Sequence, residues 1–411
     1  MVTDPWMTSD DAARRLGVKP ETLYAYVSRG FIRSERVPGQ RRSRFLRADV
    51  ERHATRSRRG GRTAGFEVVV ETELTLLEPS GRLSYRGWDV GDAVAEASFE
   101  EVASWLWTGE PAATPFELRE DTAAAARRAV EAVGSLPPID RFRTALAAMR
   151  HADPLRADRR AVAVADTGRS TVAALVDCLE RHGRQDARAG ASLAARLWPR
   201  VTAAKPSKRR IEFLDGVLIL LADHELASST FAARVAASTW ADPYLVLQAG
   251  LAVLGGPLHG GASEQARLLI REAVETTAAE AIGRRLGNGE RIPGFGHRVY
   301  EHSDPRADVV FGMLDDEATA GAVRELLTIM GERELPFPNI DFALAAAAEH
   351  FDFVDGATEA LFAVARTAGW LAHAIEEYDH ALRFRPRAAY VGEPPRDPPA
   401  RPSGQSRTST R

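Results

Sequence analysis

The sequence predicts a mainly α-helical protein with a small basic N-terminal domain and a large acidic helical domain. The charge is divided along the chain, because residues 1–62 contain 15 basic and 7 acidic side chains while the whole chain of 411 residues has a formal net charge of -3. From about residue 90 onward, segments rich in Ala, Leu and Glu show the spacing of amphipathic helices. Strands do not alternate with these helices, so a doubly wound parallel sheet is not expected.

Composition and missing motifs disfavour several classes of protein. The chain has neither a GxGxxG turn after a strand nor a GxxxxGK[ST] loop, which argues against nucleotide-dependent dehydrogenases and P-loop ATPases. Cys178 is the single cysteine, which excludes an intrachain disulfide and a Cys-based metal centre. No apolar run reaches the roughly 18 residues of a membrane span, and no signal-peptide pattern is found. We therefore expect a cytoplasmic protein with no membrane partner.

The basic domain begins with a helix, a turn and a second helix. Ser9 occupies the position of a helix N-cap, and Gly17 ends this first helix. Pro20 suits the first turn of the second helix, which is predicted to end at Gly30. The further predicted elements are two short strands around a Pro-Gly turn, at 31–33 and 43–46, and a third helix near Ala48.

This order of elements resembles the winged helix-turn-helix of MerR-like and excisionase-like DNA-binding domains over residues 7–55. The resemblance implies that the second helix enters a groove of duplex DNA and that arginines of the wing meet phosphates. The predicted DNA contacts are Thr22, Tyr24, Tyr26 and Arg29 on the second helix and Arg36, Arg41, Arg42 and Arg44 on the wing. Small helix-turn-helix units also serve as protein-contact modules, so both interpretations stay open.

Two polar segments define the domain boundaries. Residues 56–65 are basic and contain glycine, which is typical of a linker. Residues 393–411 hold five prolines together with Ser, Thr and Arg, and we expect this tail to be disordered. The winged helix-turn-helix is thus assigned to residues 1–55 and the large domain to residues 66–392.

The large domain is predicted to start with a short β segment and to continue as helices. Strand-like runs lie at 68–70, 74–76 and 83–85. The clearest helical runs lie at 122–133, 170–180, 189–197, 210–222 and 358–373.

Short motifs on turns and loops place histidines and a carboxylate where they can carry chemistry. The four positions are His259 in a Gly/Pro-rich turn that opens a helix, His297 in a Gly-containing loop followed by Arg298 and Arg306, Asp341 ahead of an Ala-rich helix, and His224 at the end of an apolar helix. A histidine at a helix N-terminus is kept neutral and can donate a hydrogen bond, and glycines permit close approach of a ligand. Each motif also has a structural interpretation: a turn contact for His259, a surface loop around His297, and helix caps for Asp341 and His224.

A metal site is not expected. His373, Glu376 and His380 are spaced to share one helix face, but that helix lacks an HExxH pattern. The other motifs suggest chemistry that needs no metal.

A neutral histidine donor and a carboxylate base are the groups required to abstract a proton next to a carbonyl. The base removes the α-proton while the histidine stabilises the enolate oxygen. A second histidine polarises an electrophilic carbonyl, and arginines hold the carboxylates of that substrate. The residues therefore predict a carbon–carbon condensation.

The order and spacing of these motifs resemble those of citrate synthases over residues 66–392. His259 and His297 are 38 residues apart, and Asp341 follows 44 residues later. Further matching segments are LSYRGWDV at 83–90, FEEVASWLWTGE at 99–110, LLADHELASSTFAARVAAS at 220–238, VARTAGWLAHAIEE at 364–377 and RPRAAYVG at 385–392. The resemblance implies an all-α fold whose small domain, inserted at about 270–365, closes over the substrates. It also implies oxaloacetate and acetyl-CoA or another short acyl-CoA as substrates, no cofactor beyond this co-substrate, and a homodimer with shared active sites.

The resemblance further implies a role for each residue of the motifs. Asp341 would be the base, His259 would bind the thioester oxygen, and His297 would bind the oxaloacetate carbonyl and act as acid. The residues implied to hold oxaloacetate carboxylates are His224, Arg306, Arg366 and, across the dimer, Arg385. Those implied to contact CoA are Ile292, Pro293, Gly294, Phe295, Gly296 and Arg298.

Two positions depart from the common pattern of the family. Ala227 and Ser263 stand where that pattern has Asn, next to the substrate-facing His224 and His259. We expect these departures to affect rate and substrate choice more than fold. The leading interpretation is a Si-type citrate synthase or a close relative. A 2-methylcitrate synthase that uses propionyl-CoA, and a DNA-binding regulator whose synthase-like domain senses acyl-CoA or oxaloacetate, stay open as alternatives.

Overall fold

The chain separates into two compact units, Met1–Glu71 and Thr72–Arg411. The computed structural model describes residues 6–16, 18, 23–24, 26–27, 32–36, 43–47, 49–50, 69–184, 190–256, 259–380 and 384–385. The predicted linker is outside these ranges, and so is the predicted tail at 393–411.

The described part of the N-terminal unit combines a helix with a three-stranded antiparallel sheet. The elements are β1 (Trp6–Thr8), α1 (Ser9–Leu16), β2 (Ser34–Arg36) and β3 (Ser43–Leu46), and the strand order is β1-β3-β2. Ala12, Leu16, Leu23 and Phe45 are among the buried side chains of its small core. The unit is held together by this core and by the strand pairing rather than by the exposed charges.

The N-terminal unit confirms the first predicted helix and the strand at 43–46. Ser9 is not the N-cap of that helix but its first residue, and the Thr8 hydroxyl accepts from the Asp11 backbone N–H at 3.2 Å. Its partner strand begins at Ser34, later than the predicted 31–33. The Arg33 carbonyl accepts from Leu46 of β3 at 3.0 Å, but the Arg33 N–H donates to the Asp49 carboxylate at 3.1 Å. Strand β1 was not predicted. Thr22, Arg29, Arg41 and Arg42, most of the second predicted helix and the Pro-Gly turn lie outside the described residues.

The second unit begins with a small antiparallel meander. Its strands are β4 (Thr75–Leu77), β5 (Leu83–Tyr85) and β6 (Trp88–Asp89), paired in sequential order. Arg86 and Gly87 form the tight turn between β5 and β6, and both have positive φ, 48° and 82°. The strands predicted at 74–76 and 83–85 are confirmed within one residue. The strand predicted at 68–70 is wrong for residues 69 and 70, which belong to no strand.

The remaining regular elements described in the second unit are helical, which confirms the mainly α fold class. The helices are α2 (Val90–Glu96), α3 (Phe99–Thr108), α4 (Glu120–Val133), α5 (Pro138–Ala152), α6 (Ala161–Cys178), α7 (Leu193–Val201), α8 (Lys208–Leu221), α9 (Ser228–Ser238), α10 (Pro243–Leu254), α11 (Ala262–Glu275), α12 (Ala278–Gly287), α13 (Pro305–Met313), α14 (Gly321–Glu332), α15 (Ile340–His350) and α16 (Ala357–Tyr378). In the described ranges, none of these helices combines the length and the apolar character needed to cross a bilayer.

Helix α16 lies at the centre of the larger of two cores in this unit. It packs against α3, α5, α6, α8, α9 and α10, and nearly all of its side chains are buried. Gly369 lets α16 approach the end of α8, because a Cβ there would collide with Asp223, and its N–H donates to the Ala222 carbonyl at 3.0 Å. A second core is built from α11, α12, α14 and α15. The ends of these helices carry the polar residues of the candidate site.

Candidate active site

Two histidines and a tyrosine meet just beyond the end of α8. His224 is buried, and its Nε2 lies 3.1 Å from the hydroxyl of Tyr300. The ring centroids of His224 and His297 are 5.2 Å apart, and those of His297 and Tyr300 are 4.6 Å apart. The chain turns sharply at Glu225, whose φ of 52° is unusual for a residue with a side chain. His224 is therefore not a cap of α8; its side chain contacts the loop that carries His297.

Backbone hydrogen bonds fix the tautomer of His297. Its Nδ1 accepts from the backbone N–H groups of Val299 at 3.1 Å and Tyr300 at 3.2 Å. A neutral imidazole has one donor and one acceptor nitrogen, so the proton resides on Nε2. Burial, with a smaller contribution from Arg306, lowers the pKa of His297 to about 4. Near pH 7, His297 is thus a neutral donor through Nε2.

His259 is a second neutral imidazole. It lies in the turn before α11, and its Nε2 is 2.9 Å from the Ser229 hydroxyl at the start of α9. Burial is the largest cause that lowers its pKa to about 4, and the charge of Arg366 adds to it. The predicted helix after this turn is confirmed. With this lowered pKa, His259 is neutral near pH 7, as predicted. The main cause is desolvation rather than its position at a helix terminus.

Asp341 lies in the first turn of α15 and does not cap that helix. The cap is Asn339, whose Oδ1 accepts from the backbone N–H of Asp341 at 2.9 Å. Oδ1 of Asp341 accepts instead from the hydroxyl of Ser263 at 2.6 Å. Burial raises the pKa of Asp341, while the Ser263 hydrogen bond and the charge of Arg306 oppose that rise. The carboxylate is therefore held by a side chain of another helix and has a proton affinity above the ordinary one.

The loop predicted to contact CoA holds the segment ahead of Asp341. Gly294 and Gly296 both have positive φ, near 80°, and the Gly294 carbonyl accepts from the Asn339 N–H at 2.9 Å. The Asn339 side chain donates to the Gly296 carbonyl at 2.8 Å. A Cβ at Gly294 would lie 2.7 Å from the Cβ of Phe342, so the loop packs directly on α15. The Phe295 ring also packs on the Phe342 ring, with centroids 4.5 Å apart and planes tilted by 47°.

A buried ion pair fixes Arg306. Its Nε and Nη2 donate to the two carboxylate oxygens of Asp304 at 3.0 and 2.8 Å. Asp304 Oδ2 also accepts from the Ile340 backbone N–H at 3.0 Å, at the start of the helix that carries Asp341. The pKa of Asp304 is lowered by Arg306 despite burial. Within the described ranges Nη1 of Arg306 makes no hydrogen bond, so this nitrogen is available to a ligand.

Arg366 is the second buried guanidinium. It is 1% exposed, and its Nε donates to the Leu221 carbonyl at 2.8 Å. Its Nη2 is buried without a hydrogen-bond partner among the described residues. Burial lowers the pKa of Arg366 to about 10, which leaves it charged near pH 7. One face of the site thus has a fixed positive charge with a free donor.

Phe362 and the arginine charges connect these groups into one site. The Arg366 guanidinium lies 4.8 Å from the centroid of the Phe362 ring, and the His259 ring centroid is 6.0 Å from the same ring. The charges of Arg306 and Arg366 both act on Asp341 and on His224. The structure therefore brings His224, His259, His297, Asp341, Arg306 and Arg366 together, although they are far apart along the chain.

Other sequence-predicted residues lie elsewhere. Arg298 and Arg385 are exposed. In the N-terminal unit, Tyr24 is 47% exposed, and Arg44 on β3 lies 3.7 Å from Glu35 on β2. Tyr26 is half-buried, and the side chain of Arg36 lies outside the described part of the structure.

On α16, the residues considered as metal ligands take part in hydrogen bonds and ion pairs. His373 lies 3.2 Å from the Asp223 carboxylate and 2.9 Å from Arg234, and Glu376 also binds Arg234. In the described part of the chain, no group of three or more His, Cys, Asp or Glu side chains has the arrangement of a metal site.

Several contacts of the site were missed in the sequence. The residues that contact the predicted ones are Ser229, Tyr300, Asp304 and Phe362. Among them, only Asp304 has a recognisable sequence pattern, an Asp-Pro pair that opens helix α13. The other three have ordinary side chains whose role depends on a partner distant in sequence.

Comparisons with known proteins agree with this architecture. The family model "Citrate synthase, C-terminal domain" matches residues 65–387, and the model "Helix-turn-helix domain" matches residues 6–58. Citrate synthase 2 of Bacillus subtilis is 32% identical over 363 residues, which cover 80% of this chain and 96% of that protein. 2-Methylcitrate synthase 1 of Corynebacterium glutamicum is 31% identical and covers 77% of this chain and 91% of that protein.

Solved structures give the same result. The citrate synthase of Thermotoga maritima aligns with a TM-score of 0.65 at 28% identity, covering 80% of this chain and 95% of that one. The enzyme of Thermoplasma acidophilum, in a ternary complex with carboxymethyl coenzyme A and oxaloacetate, aligns with a TM-score of 0.64 at 27% identity and with the same coverage. The fold and the relatives thus define the class of acyl-CoA-condensing synthases. The chain belongs to the citrate synthase family and carries an N-terminal helix-turn-helix domain.

Proposed function

We propose that the protein condenses acetyl-CoA with oxaloacetate to give citrate and CoA. The observation that carries this proposal is Arg366, a buried cation with an unpartnered Nη2 beside three histidines whose pKa values are lowered. A buried charge without a partner is costly, and a ligand carboxylate would supply the missing acceptor. The ternary complex of the Thermoplasma acidophilum relative with a CoA analogue and oxaloacetate supports the same substrates.

The first step is the enolisation of the acyl-CoA. Asp341 takes a proton from the carbon next to the thioester carbonyl, and its raised pKa favours that transfer. We assign the Ser229 hydroxyl as the donor to Nε2 of His259, which places the proton of this imidazole on Nδ1 for donation to the thioester oxygen. The developing enolate is stabilised by a fixed, neutral donor.

The second step is the attack of the enolate on the oxaloacetate ketone. His297 donates from Nε2 to the ketone oxygen and acts as acid while the carbon–carbon bond forms. Nη1 of Arg306, Nη2 of Arg366 and the buried His224 hold the carboxylates of oxaloacetate. Water then cleaves the resulting thioester and releases citrate and CoA.

A homodimer is part of the proposal. Arg385 is exposed and far along the chain from the other carboxylate-binding residues, and we assign it to the active site of the opposite subunit. The loop residues Ile292, Pro293, Gly294, Phe295, Gly296 and Arg298 are assigned to CoA. Exposed Arg298 suits a phosphate of that ligand.

The test is the release of free thiol from acetyl-CoA and from propionyl-CoA in the presence of oxaloacetate. We expect acetyl-CoA to give the higher kcat/KM, and we expect His297→Ala to lose activity with both substrates. A higher kcat/KM with propionyl-CoA would identify a 2-methylcitrate synthase, the activity named for the Corynebacterium glutamicum relative. One methylene is worth only about 1–3 kcal/mol in a pocket. Release of thiol from neither substrate would refute the synthase function.

A second candidate function is favoured by the N-terminal unit. Residues 1–62 have an excess of basic side chains, and the helix-turn-helix model matches residues 6–58. We propose that this unit binds duplex DNA through Thr22, Tyr24, Tyr26 and Arg29 and through the wing arginines, and that the synthase domain reports acyl-CoA or oxaloacetate to it. Binding to duplex DNA should weaken steeply with salt concentration. A flat salt dependence, or no binding, would contradict DNA contact through phosphates.

His297→Ala separates the two functions. An enzyme loses thiol release in this variant, whereas a ligand-dependent regulator keeps its DNA binding. A variant that loses both activities while it stays folded would contradict DNA binding that does not require turnover.

A further inference from the structure

We propose that Ser263 is the positioning residue for the base of this enzyme, in a chain that lacks the Asn common at this place in the family. Its hydroxyl donates to Oδ1 of Asp341 at 2.6 Å, and Ser263 itself is fully buried. The proposal rests on the condensation proposed above. It assigns to Ser263 the orientation of the carboxylate and the retention of its charge.

The hydrogen bond leaves one carboxylate oxygen for the substrate. Oδ1 of Asp341 is occupied by Ser263, whereas Oδ2 accepts no hydrogen bond from the part of the chain that the structure describes. Because a carboxylate rotates freely around its last bond, a single strong bond to one oxygen decides where the other points. Ser263 thereby selects Oδ2 as the proton acceptor.

The same serine also lies beside the second catalytic group. Ser263 is in the first turn of α11, directly after the turn that carries His259. A short hydroxyl-to-carboxylate bond of this kind is charge-assisted and stronger than a neutral one. It therefore joins the start of α11 to the start of α15 and fixes the distance between the base and the donor to the thioester.

The bond also opposes the effect of burial on Asp341. Burial raises the pKa of this carboxyl group, and the Ser263 hydroxyl is the largest of the contributions that lower it. A hydrogen bond to the charged form favours that form. Without the hydroxyl, a larger fraction of Asp341 would be protonated and unable to act as a base.

The kinetic test compares three variants of the full chain. In Ser263→Ala, we expect kcat to fall about tenfold, and the acidic limb of the pH profile of kcat/KM to move up by about one pH unit, while KM for oxaloacetate is unchanged. Ser263→Thr keeps the hydroxyl and should retain the wild-type pH profile. Ser238→Ala is the matched control, because it removes another buried serine hydroxyl, bonded to the Val235 carbonyl on α9.

A wild-type pH profile in a folded Ser263→Ala variant would overturn the proposal. So would an equal shift in Ser238→Ala, which would indicate a general effect of lost packing.

A second measurement does not depend on catalysis. In a double-mutant cycle of Ser263→Ala and Asp341→Asn, monitored by thermal unfolding, we expect an interaction between the two positions that shrinks as the pH is lowered and Asp341 becomes protonated. Additive effects at every pH would overturn the proposal even if the wild-type protein were an active synthase. Absence of thiol release in the wild type, with the interaction intact, would refute the proposed function but leave the Ser263–Asp341 pairing established.

Discussion

Substitution of Asp304 is the most stringent test of how the buried ion pair with Arg306 stabilises the site. Its two carboxylate oxygens accept from Nε and Nη2 of Arg306 and from the Ile340 backbone N–H. Both partners of the ion pair are buried, with side-chain exposures of 4% for Arg306 and 0% for Asp304. The substitution Asp304→Asn keeps the shape of the side chain and removes its charge.

The expected loss follows from the burial of the pair. An arginine stays charged near pH 7, so Asp304→Asn leaves a buried cation without its counter-ion, and breaking such a pair costs about 3–5 kcal/mol. The shift of Tm per kcal/mol falls with domain size and is roughly 2 °C for a large domain, so we expect Tm to fall by about 6–10 °C. KM for oxaloacetate should also rise, because Arg306 is no longer oriented.

The pH dependence of this loss has a definite sign. The pKa of Asp304 is lowered in the folded protein, so its contribution to stability is present above the ordinary pKa of Asp, about 3.9, and is lost as the pH falls further. The difference in Tm between wild type and Asp304→Asn should therefore be constant from about pH 7 to pH 5. It should shrink below about pH 4.

A surface pair provides the matched control. Asp158 binds Arg160, whose side chain is 84% exposed, and this pairing also lowers the pKa of Asp158. Solvent screens an exposed pair, so Asp158→Asn should leave Tm unchanged. Equal Tm values for wild type and Asp304→Asn near pH 7, measured by differential scanning calorimetry, would refute the role assigned to the buried pair.

Three further substitutions test other parts of the structure. Asp215 is half-buried, and burial together with Glu100 raises its pKa to about 7. The wild-type protein therefore loses stability as the pH rises from about 4 to 7. In urea unfolding, Asp215→Asn should have a higher free energy of unfolding than wild type, by about 2 kcal/mol near pH 8 and by less near pH 5. An equal difference at both pH values would contradict this shift. Gly294→Ala places a Cβ 2.7 Å from α15 at a φ of 80° and should cost about 3 kcal/mol in thermal unfolding and most of the thiol release, whereas Gly287→Ala, with no neighbouring atom within 4 Å, should have little effect. Tyr300→Phe removes the hydrogen-bond partner of His224 and should raise KM for oxaloacetate about tenfold with little change in kcat. An unchanged KM would show that the Tyr300 hydroxyl does not orient His224.

The helical fold and the main polar groups of the site could be predicted because their signals are local. Helical spacing marked α4, α8 and α16 closely and parts of α6 and α7, and the Gly/Pro turn before α11 marked the position of His259. His297 and Asp341 were found in the same way, from short motifs that precede or interrupt helices. These features depend on a few neighbouring residues, so a single sequence contains them.

The small strands were harder to predict, for physical reasons. Strand β6 follows a two-residue turn in which Arg86 has positive φ, a conformation usually signalled by Asn or Asp rather than Arg. The apolar run at 69–70 has the composition of a strand but no partner strand in the described structure. Propensity alone does not form a strand without a neighbour to accept its hydrogen bonds.

The contacts between the groups proposed as catalytic could not be predicted from spacing. The sequence presents Ser263 as a lost amide next to His259, yet its hydroxyl donates to Asp341, which lies 78 residues away. Ser229 reaches His259 across 30 residues in the same manner. Such contacts are set by tertiary packing, such as that of α11 against α15, and a serine without that context has no distinguishing pattern.

The most direct measurement is the exchange of the acetyl-CoA methyl protons with deuterium oxide, followed by proton NMR in the presence of a dicarboxylate that resembles oxaloacetate but cannot be attacked. It isolates the step assigned to Asp341 and His259 from every later one. We predict rapid exchange with the wild-type protein and none with folded Asp341→Asn. Exchange at the wild-type rate in Asp341→Asn would contradict the assignment of this carboxylate as the base.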